Sequence, residues 1–122
     1  MLLPLFDKDC DLVAWMEPGD HIYDVDMNWV AYIANSHAWS SETGNWLGPV
    51  IGLLCLDQSG RPVLWNPKEH VSGISRPSRP SRASRASRPT RPSRPSRPSR
   101  PSRPSTPSGG WSTLSYYAWI DQ

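Results

Sequence analysis

One unit occurs four times within Met1–Ile74, and this repetition constrains the fold more than any other feature. The copies begin at Phe6 (FDKDCDLVAW), Tyr23 (YDVDMNWVAY), Trp39 (WSSETGNWLG) and Leu56 (LDQSGRPVLW), starts that lie 17, 16 and 17 residues apart. Each opens on a large apolar residue, crosses a polar stretch and returns through an apolar pair: Val13–Ala14, Val30–Ala31, Trp46–Leu47 or Val63–Leu64. A strand of about five residues, a tight turn and a second strand fill such a unit. Asp7, Asp24 and Asp57 stand at one matching point, where a carboxylate can accept from the backbone N–H two residues on; Ser40 can do the same more weakly. Gly44 and Gly60 supply positive φ for their turns. Cys10 and Met27 stand where glycine would be easier, so those two turns are expected to be longer or strained.

A lone hairpin is marginal in water, whereas four around a common axis can each bury one face. The expected body, residues 1–74, is therefore all-β, with four β-hairpin repeats in a pseudo-four-fold arrangement and short strand edges. Proline and glycine recur every few residues (EPG, LGP, SGRP), which argues against helices there. A body this small barely offsets its chain entropy unless its side chains are large. Trp15, Trp29, Trp39, Trp46 and Trp65 answer that need as core residues.

Charge divides the chain. Met1–Ile74 holds ten carboxylates against Lys8, Arg61 and Lys68, while Ser75–Ser108 holds ten arginines and no acid. The arginines are Arg76, Arg79, Arg82, Arg85, Arg88, Arg91, Arg94, Arg97, Arg100 and Arg103, one at every third position. That period suits a polyproline II helix, which would place them on one edge, roughly 9 Å apart, with serine and proline on the others. With almost nothing apolar, residues 75–108 form no core and read as a polyproline II or disordered arm, stiff except near Ala83 and Ala86 where proline lapses. Fully extended, it would reach about 100 Å.

Past the Gly109–Gly110 joint, residues 109–122 read as a short aromatic helix. Ser112 is the expected N-cap, with Trp111 stapled on Tyr116. Trp111, Leu114, Tyr116, Tyr117, Trp119 and Ile120 form the expected docking surface, since a helix far below ~12–15 residues does not persist unsupported. A tether makes its own body, or a sibling protomer, the nearest acceptor.

Catalytic and metal chemistry find little support. DKDCD and DVDMN begin like calcium loops, but the sixth and twelfth places hold Leu12 and Pro18, then Trp29 and Asn35, instead of glycine and glutamate. His21, His37 and His70 share no metal-ligand spacing, and Ser36–His37 lacks a nucleophile elbow. No enzyme, metal or cofactor is expected. No run approaches the ~20 apolar residues of a membrane span, and MLLPLFDKDCD lacks the basic start of a secretory leader. Cys10 and Cys55 are expected to be free thiols in a reducing cytoplasm.

The units FDKDCDLVAW, IYDVDMNWVAYI, GNWLGPV and LDQSGRPVLW, followed by a Pro/Arg-rich stretch and GGWSTLSYYAWI, resemble the four-fold β-flower proteins, small bacterial proteins of repeated hairpins. The resemblance spans nearly the whole chain and implies the fold and a bacterial source, but no reaction, ligand or site residue. This sequence departs from it at Cys10 and Met27, at LGP where an aromatic would follow the glycine, and in the regularity of its arginine tract. The function expected is a non-enzymatic interaction or self-assembly module. Its basic arm delivers an aromatic helix to its own body, a sibling protomer of a homo-oligomer, or another protein. The alternative is a sequence-independent nucleic-acid binder acting through the arginines. The arginines can equally hold the arm along acidic protein surface, its own body or a neighbouring copy, keep it extended as a stiff spacer, or present it to a proline-reading domain.

Overall fold

Eight strands follow one another around the body: β1 Leu3–Phe6, β2 Leu12–Glu17, β3 His21–Asp24, β4 Trp29–Ala34, β5 His37–Ser40, β6 Trp46–Ile51, β7 Leu54–Leu56 and β8 Pro62–Leu64. The computed structural model describes every residue except Arg76, Arg79 and Arg82. Every strand pairs antiparallel with its sequence neighbours, so the sheet is an eight-stranded meander. Its two ends meet: the N–H of Phe6 donates to the carbonyl of Trp65 (2.8 Å), and the N–H of Trp65 donates to that of Phe6 (2.9 Å). The four repeats are thus four hairpin petals around an axis.

Each hairpin changes register at the same place, at Leu5/Phe6, Ile22/Tyr23, Ala38/Trp39 and Cys55/Leu56. Such irregularities bend a strand and increase its twist, which lets a meander of short strands curl back on itself. Trp15↔Tyr23, Tyr32↔Trp39 and the closing Phe6↔Trp65 are equivalent aromatic pairs between neighbouring petals. The third junction has Gly48 in that column. Its backbone runs so close to β7 that an added Cβ would overlap the Leu56 carbonyl oxygen and lie 2.8 Å from Asp57 C. An aromatic residue has no room there, which is why LGP departs from the pattern.

The axis is filled by two rings of side chains. Leu5, Ile22, Ala38 and Cys55 form one, Ala14, Ala31, Leu47 and Leu64 the other, and all eight are fully buried. Large residues on the first strand face small ones on the second in petals one and two, and the order reverses in petals three and four. The exchange conserves core volume although the residues differ.

The turns form as the sequence indicates. Asp7 Oδ1 accepts from the N–H of Asp9 and Asp11, Asp24 Oδ1 from Asp26 and Asn28, and Asp57 Oδ1 from Ser59 and Arg61, all at 2.8–3.0 Å. Ser40 Oγ accepts from Glu42 and Thr43 at 3.3 Å, the weaker version. Cys10 (φ 65) and Met27 (φ 64) are left-handed like Gly60 (φ 87). Their turns are strained rather than longer, because each closes by the same three-residue hydrogen bond as the Asp57–Gly60 turn. The longer turn is the third, where Gly44 N–H reaches back to Ser40. The body contains no helix among the described residues, and α1, Tyr116–Ile120, follows near the C-terminus.

Candidate functional site

The hairpin turns crowd one end of the axis, and this end receives everything that follows the body. Of the courses open to the arm, residues 83–108 take the one along the chain's own body, around the rim of the turns. Within the tract, burial repeats every third residue. Pro77, Pro80, Ala83, Ala86, Pro89, Pro92, Pro95, Pro98, Pro101 and Pro104 are half-buried and Pro107 is buried, while the described serines and arginines are exposed. This is the periodicity of a helix with three residues per turn, laid with its proline edge against the body. At ~3.1 Å per residue the run 83–108 measures roughly 80 Å, a length spent on circumference rather than reach.

The arm passes the petals in reverse order and keeps register with them. Arg85 donates to the carbonyls of Ser41 and Glu42 on the third turn (2.6 Å each). Nine residues later Arg94 pairs with Asp26 Oδ1 on the second turn (2.7 Å), and nine later again Arg103 reaches Asp9 Oδ1 on the first (3.3 Å). Arg91 and Arg100, also nine apart, donate to the Asp26 and Asp9 carbonyls (2.5 Å each), and Arg100 lies 3.5 Å from the Asp11 carboxylate. Nine arm residues, ~28 Å of polyproline II, therefore correspond to one petal. The partners are half-exposed and screened, so each pair contributes little alone. Arg88 and Arg97 have no hydrogen-bond or ion-pair partner among the described residues. The expected positions Arg76, Arg79 and Arg82 lie outside the described residues.

The lapses in proline coincide with a lapse in petal symmetry. Ala83 and Ala86 pack on the aromatic layer of Trp29, Tyr32, Trp39 and Trp46. Trp46 occupies a place held by valine in the other copies, so the arm carries its smallest side chains over the bulkiest part of the rim.

The C-terminal segment closes the end of the axis. Trp119 is fully buried among both core rings, and its indole Nε1–H donates to the Leu56 carbonyl (3.0 Å). Tyr116 joins the same cluster, with Leu114 and Ile120 packed beside it. Burial holds the Tyr116 hydroxyl well above the usual phenol range, reinforced by the Asp24 carboxylate. Gln122 donates to the Leu47 carbonyl (2.8 Å), and Asn45 Nδ2–H donates to the Gln122 carbonyl (3.2 Å).

Three details of the expected helix are corrected. The N-cap is Ser115, whose Oγ accepts from the Ala118 N–H (3.1 Å), rather than Ser112. Ser112 instead is buried and donates to Asp57 Oδ2 (2.5 Å), while its Oγ accepts from the Leu114 N–H (3.1 Å), so the helix starts three residues later. Trp111 packs with Phe6, Cys10 and Trp65 instead of stapling Tyr116. In the shifted register Tyr117 points outward and is 72% exposed, so it is no part of the docked face.

Sequence reasoning missed two features. His37 Nδ1 accepts from the Trp46 indole (3.1 Å), and burial lowers its pKa. At the opposite end of the axis an open cavity of about 680 Å³ is lined by Leu3, Pro18, Ile33, Val50 and Leu53, residues drawn from every repeat. The period-two pattern of the strands and the matching repeat positions of Leu3, Ser36 and Leu53, 33 and 17 residues apart, could have located it. Among the described residues no group of three or more His, Cys, Asp or Glu side chains converges as a metal site, and no helix is long and apolar enough to cross a membrane.

A family model described as 4-fold beta flower protein matches residues 3–120, which takes in the body, the arm and the helix together. No curated protein and no solved structure matches the chain.

Proposed function

Since the chain belongs to the 4-fold beta flower family over nearly its whole length, we propose that it is a non-enzymatic interaction module that assembles on itself. The arginine arm is a belt around the turns, and it delivers the aromatic helix to the chain's own body as a plug. The observation that carries this reading is the register: nine arm residues to each petal, with Arg94 on Asp26 and Arg103 on Asp9. A spacer that only solvated itself would have no reason to match the petal spacing. The acidic body and the basic arm are complementary partners within one chain.

Full-length protein in solution tests the proposal. A closed belt gives a compact particle with a radius of gyration of about 14 Å for a chain this long, whereas an arm projecting outward raises it well above that. Trypsin gives a second readout, because it does not cut before proline and so can enter the arm only at Arg82–Ala83 and Arg85–Ala86. Substituting Asp9, Asp11 and Asp26 together by Asn should speed cleavage there at low salt, and ~1 M salt should erase the difference. An expanded particle, or cleavage indifferent to those aspartates, refutes the clasp. Tight binding of duplex DNA or RNA by the full chain, falling linearly in log affinity against log salt, would favour the nucleic-acid alternative instead.

A further inference from the structure

The two ends of the axis are unlike. At the end away from the plug, the open cavity of about 680 Å³ has no charged side chain in its lining. Leu3, Ile33 and Leu53 are only half-buried and keep apolar surface in it, and Ile51 beside it is 40% exposed. Asn35 and Ser36 supply a polar stretch of wall. Carboxylates stand around the opening: Glu17 and Asp20 flank the Pro18–Gly19 corner, and Glu69 accepts from the Leu53 N–H (2.9 Å). Neither Glu17 nor Asp20 has an ion-pair partner among the described residues. Lys68, next to Glu69 in the chain, offsets one of the three.

The plug end is the reverse. Helix α1 buries Tyr116 and Trp119 and leaves Ser115, Tyr117 and Ala118 exposed, with Leu114 and Ile120 half-buried beside them. Its outer face is therefore mainly apolar, and Tyr117 is the most exposed large side chain on it. Around that face runs the belt, whose Arg88 and Arg97 have no carboxylate partner among the described residues.

Contiguous apolar surface left in water marks a contact site. A small apolar ligand in so open a cavity would keep one side wet. A projecting apolar face that suits the cavity lies on the same chain, at the opposite end of the same axis, and the two ends differ in charge as partners do. An aromatic ring with a polar tip also matches the lining, which offers apolar walls for the ring and Asn35 or Ser36 for the phenol hydroxyl. We propose that copies of this chain stack head to tail along the axis, the outer face of one plug, led by Tyr117, seated in the open cavity of the next copy. The inference rests on the docked plug of the proposed function, because docking is what turns Tyr117 outward. An end face of ~13 Å radius gives roughly 500 Å² per copy and about 1,000 Å² in all, the low end for specific contacts, so the association is weak and concentration-dependent. Unlike ends make a contact that does not close on itself, and the stack grows.

Analytical ultracentrifugation of the full chain from ~1 μM to ~1 mM, the affinity range of small interfaces, tests the stack. The mean mass should rise with concentration without levelling at a dimer. Tyr117→Glu, which spoils the plug face, and Leu53→Glu, which spoils the cavity, should each stay monomeric alone. Mixed in equal amounts they should form a dimer and stop there, because each keeps the half that the other has lost. Pro18→Glu, at an exposed corner of the cavity, takes the place of Leu53→Glu if that chain has no thermal transition. A parent monomeric throughout overturns the proposal and leaves the cavity to a different partner. A mixture that stays monomeric overturns it too, as does a single variant that still self-associates, since the contact would then join like ends. Tryptic cleavage after Arg85 in the parent separates this result from the belt: slow cleavage with no stacking sinks the stack alone, and rapid cleavage sinks the belt and the stack with it.

Discussion

Replacing Trp119 by alanine probes the relation between plug and body most directly. The side chain is fully buried and its indole donates to Leu56. A tryptophan buries roughly 150–250 Å², which at ~25 cal/mol per Å² amounts to about 4–6 kcal/mol, an upper range since unfolded chains already hide part of that area. Core Trp→Ala changes cost about 3–5 kcal/mol. If plug and petals unfold as one unit, urea denaturation of Trp119→Ala should show a loss of about 4 kcal/mol with an unchanged slope. If the arm and helix can peel away first, the body's transition shifts less, but tryptic cleavage after Arg85 becomes rapid because the belt has lost its anchor. Trp119→Phe separates packing from hydrogen bonding. It retains most of the burial and should cost about 1–2 kcal/mol, the lost bond with its stranded carbonyl. Trp119→Ala within ~0.5 kcal/mol of the parent, the ordinary range for uninvolved surface sites, together with unchanged cleavage, would refute the plug as part of the core.

Three further changes test the frame. Asp57→Ala removes the acceptor for Ser59, Arg61 and the buried Ser112 hydroxyl. It should cost roughly 3 kcal/mol in urea denaturation, against roughly 1 kcal/mol for the more exposed Asp7→Ala. Gly48→Ala should prevent stable folding, read as loss of the thermal transition, because strain at φ 148 is joined by overlap with the Leu56 carbonyl. Gly19→Ala, at φ 79 with nothing within 4 Å, should cost only ~1 kcal/mol. At high pH, burial pushes the Cys55 thiol up to about 12 from the ordinary thiol value of 9.0. Between those values the unfolded chain loses the proton and the folded chain keeps it. Stability should therefore be intact below pH 9 and fall toward pH 12 by up to ~1.4 kcal/mol per unit, with a shallower fall in Cys55→Ala.

The petals were legible in the chain because their causes are local. An aspartate that bonds the N–H two residues on, an apolar residue before it and an apolar pair after it act within a single hairpin, so Asp7, Asp24, Ser40 and Asp57 announce their turns wherever the hairpins end up. The period of three in the arm is local in the same way. The helix was legible as an element that needed a partner, yet its register was not: Ser112 is a good N-cap by chemistry, but Asp57 claims it, and that competition spans fifty-five residues. With the start moved to Ser115, Tyr117 turns to solvent.

Residue order by itself established four β-units, an arm of one sign beside a body of the other, and an aromatic tip too short to stand alone. Tertiary structure decided where the arm lies, how nine of its residues measure one petal, and which core Trp119 completes. These are distances between parts far apart in the chain, and they exist only once the hairpins have closed into a ring of definite circumference. A periodic strand of arginines carries the same local pattern whether it projects into water or follows that rim.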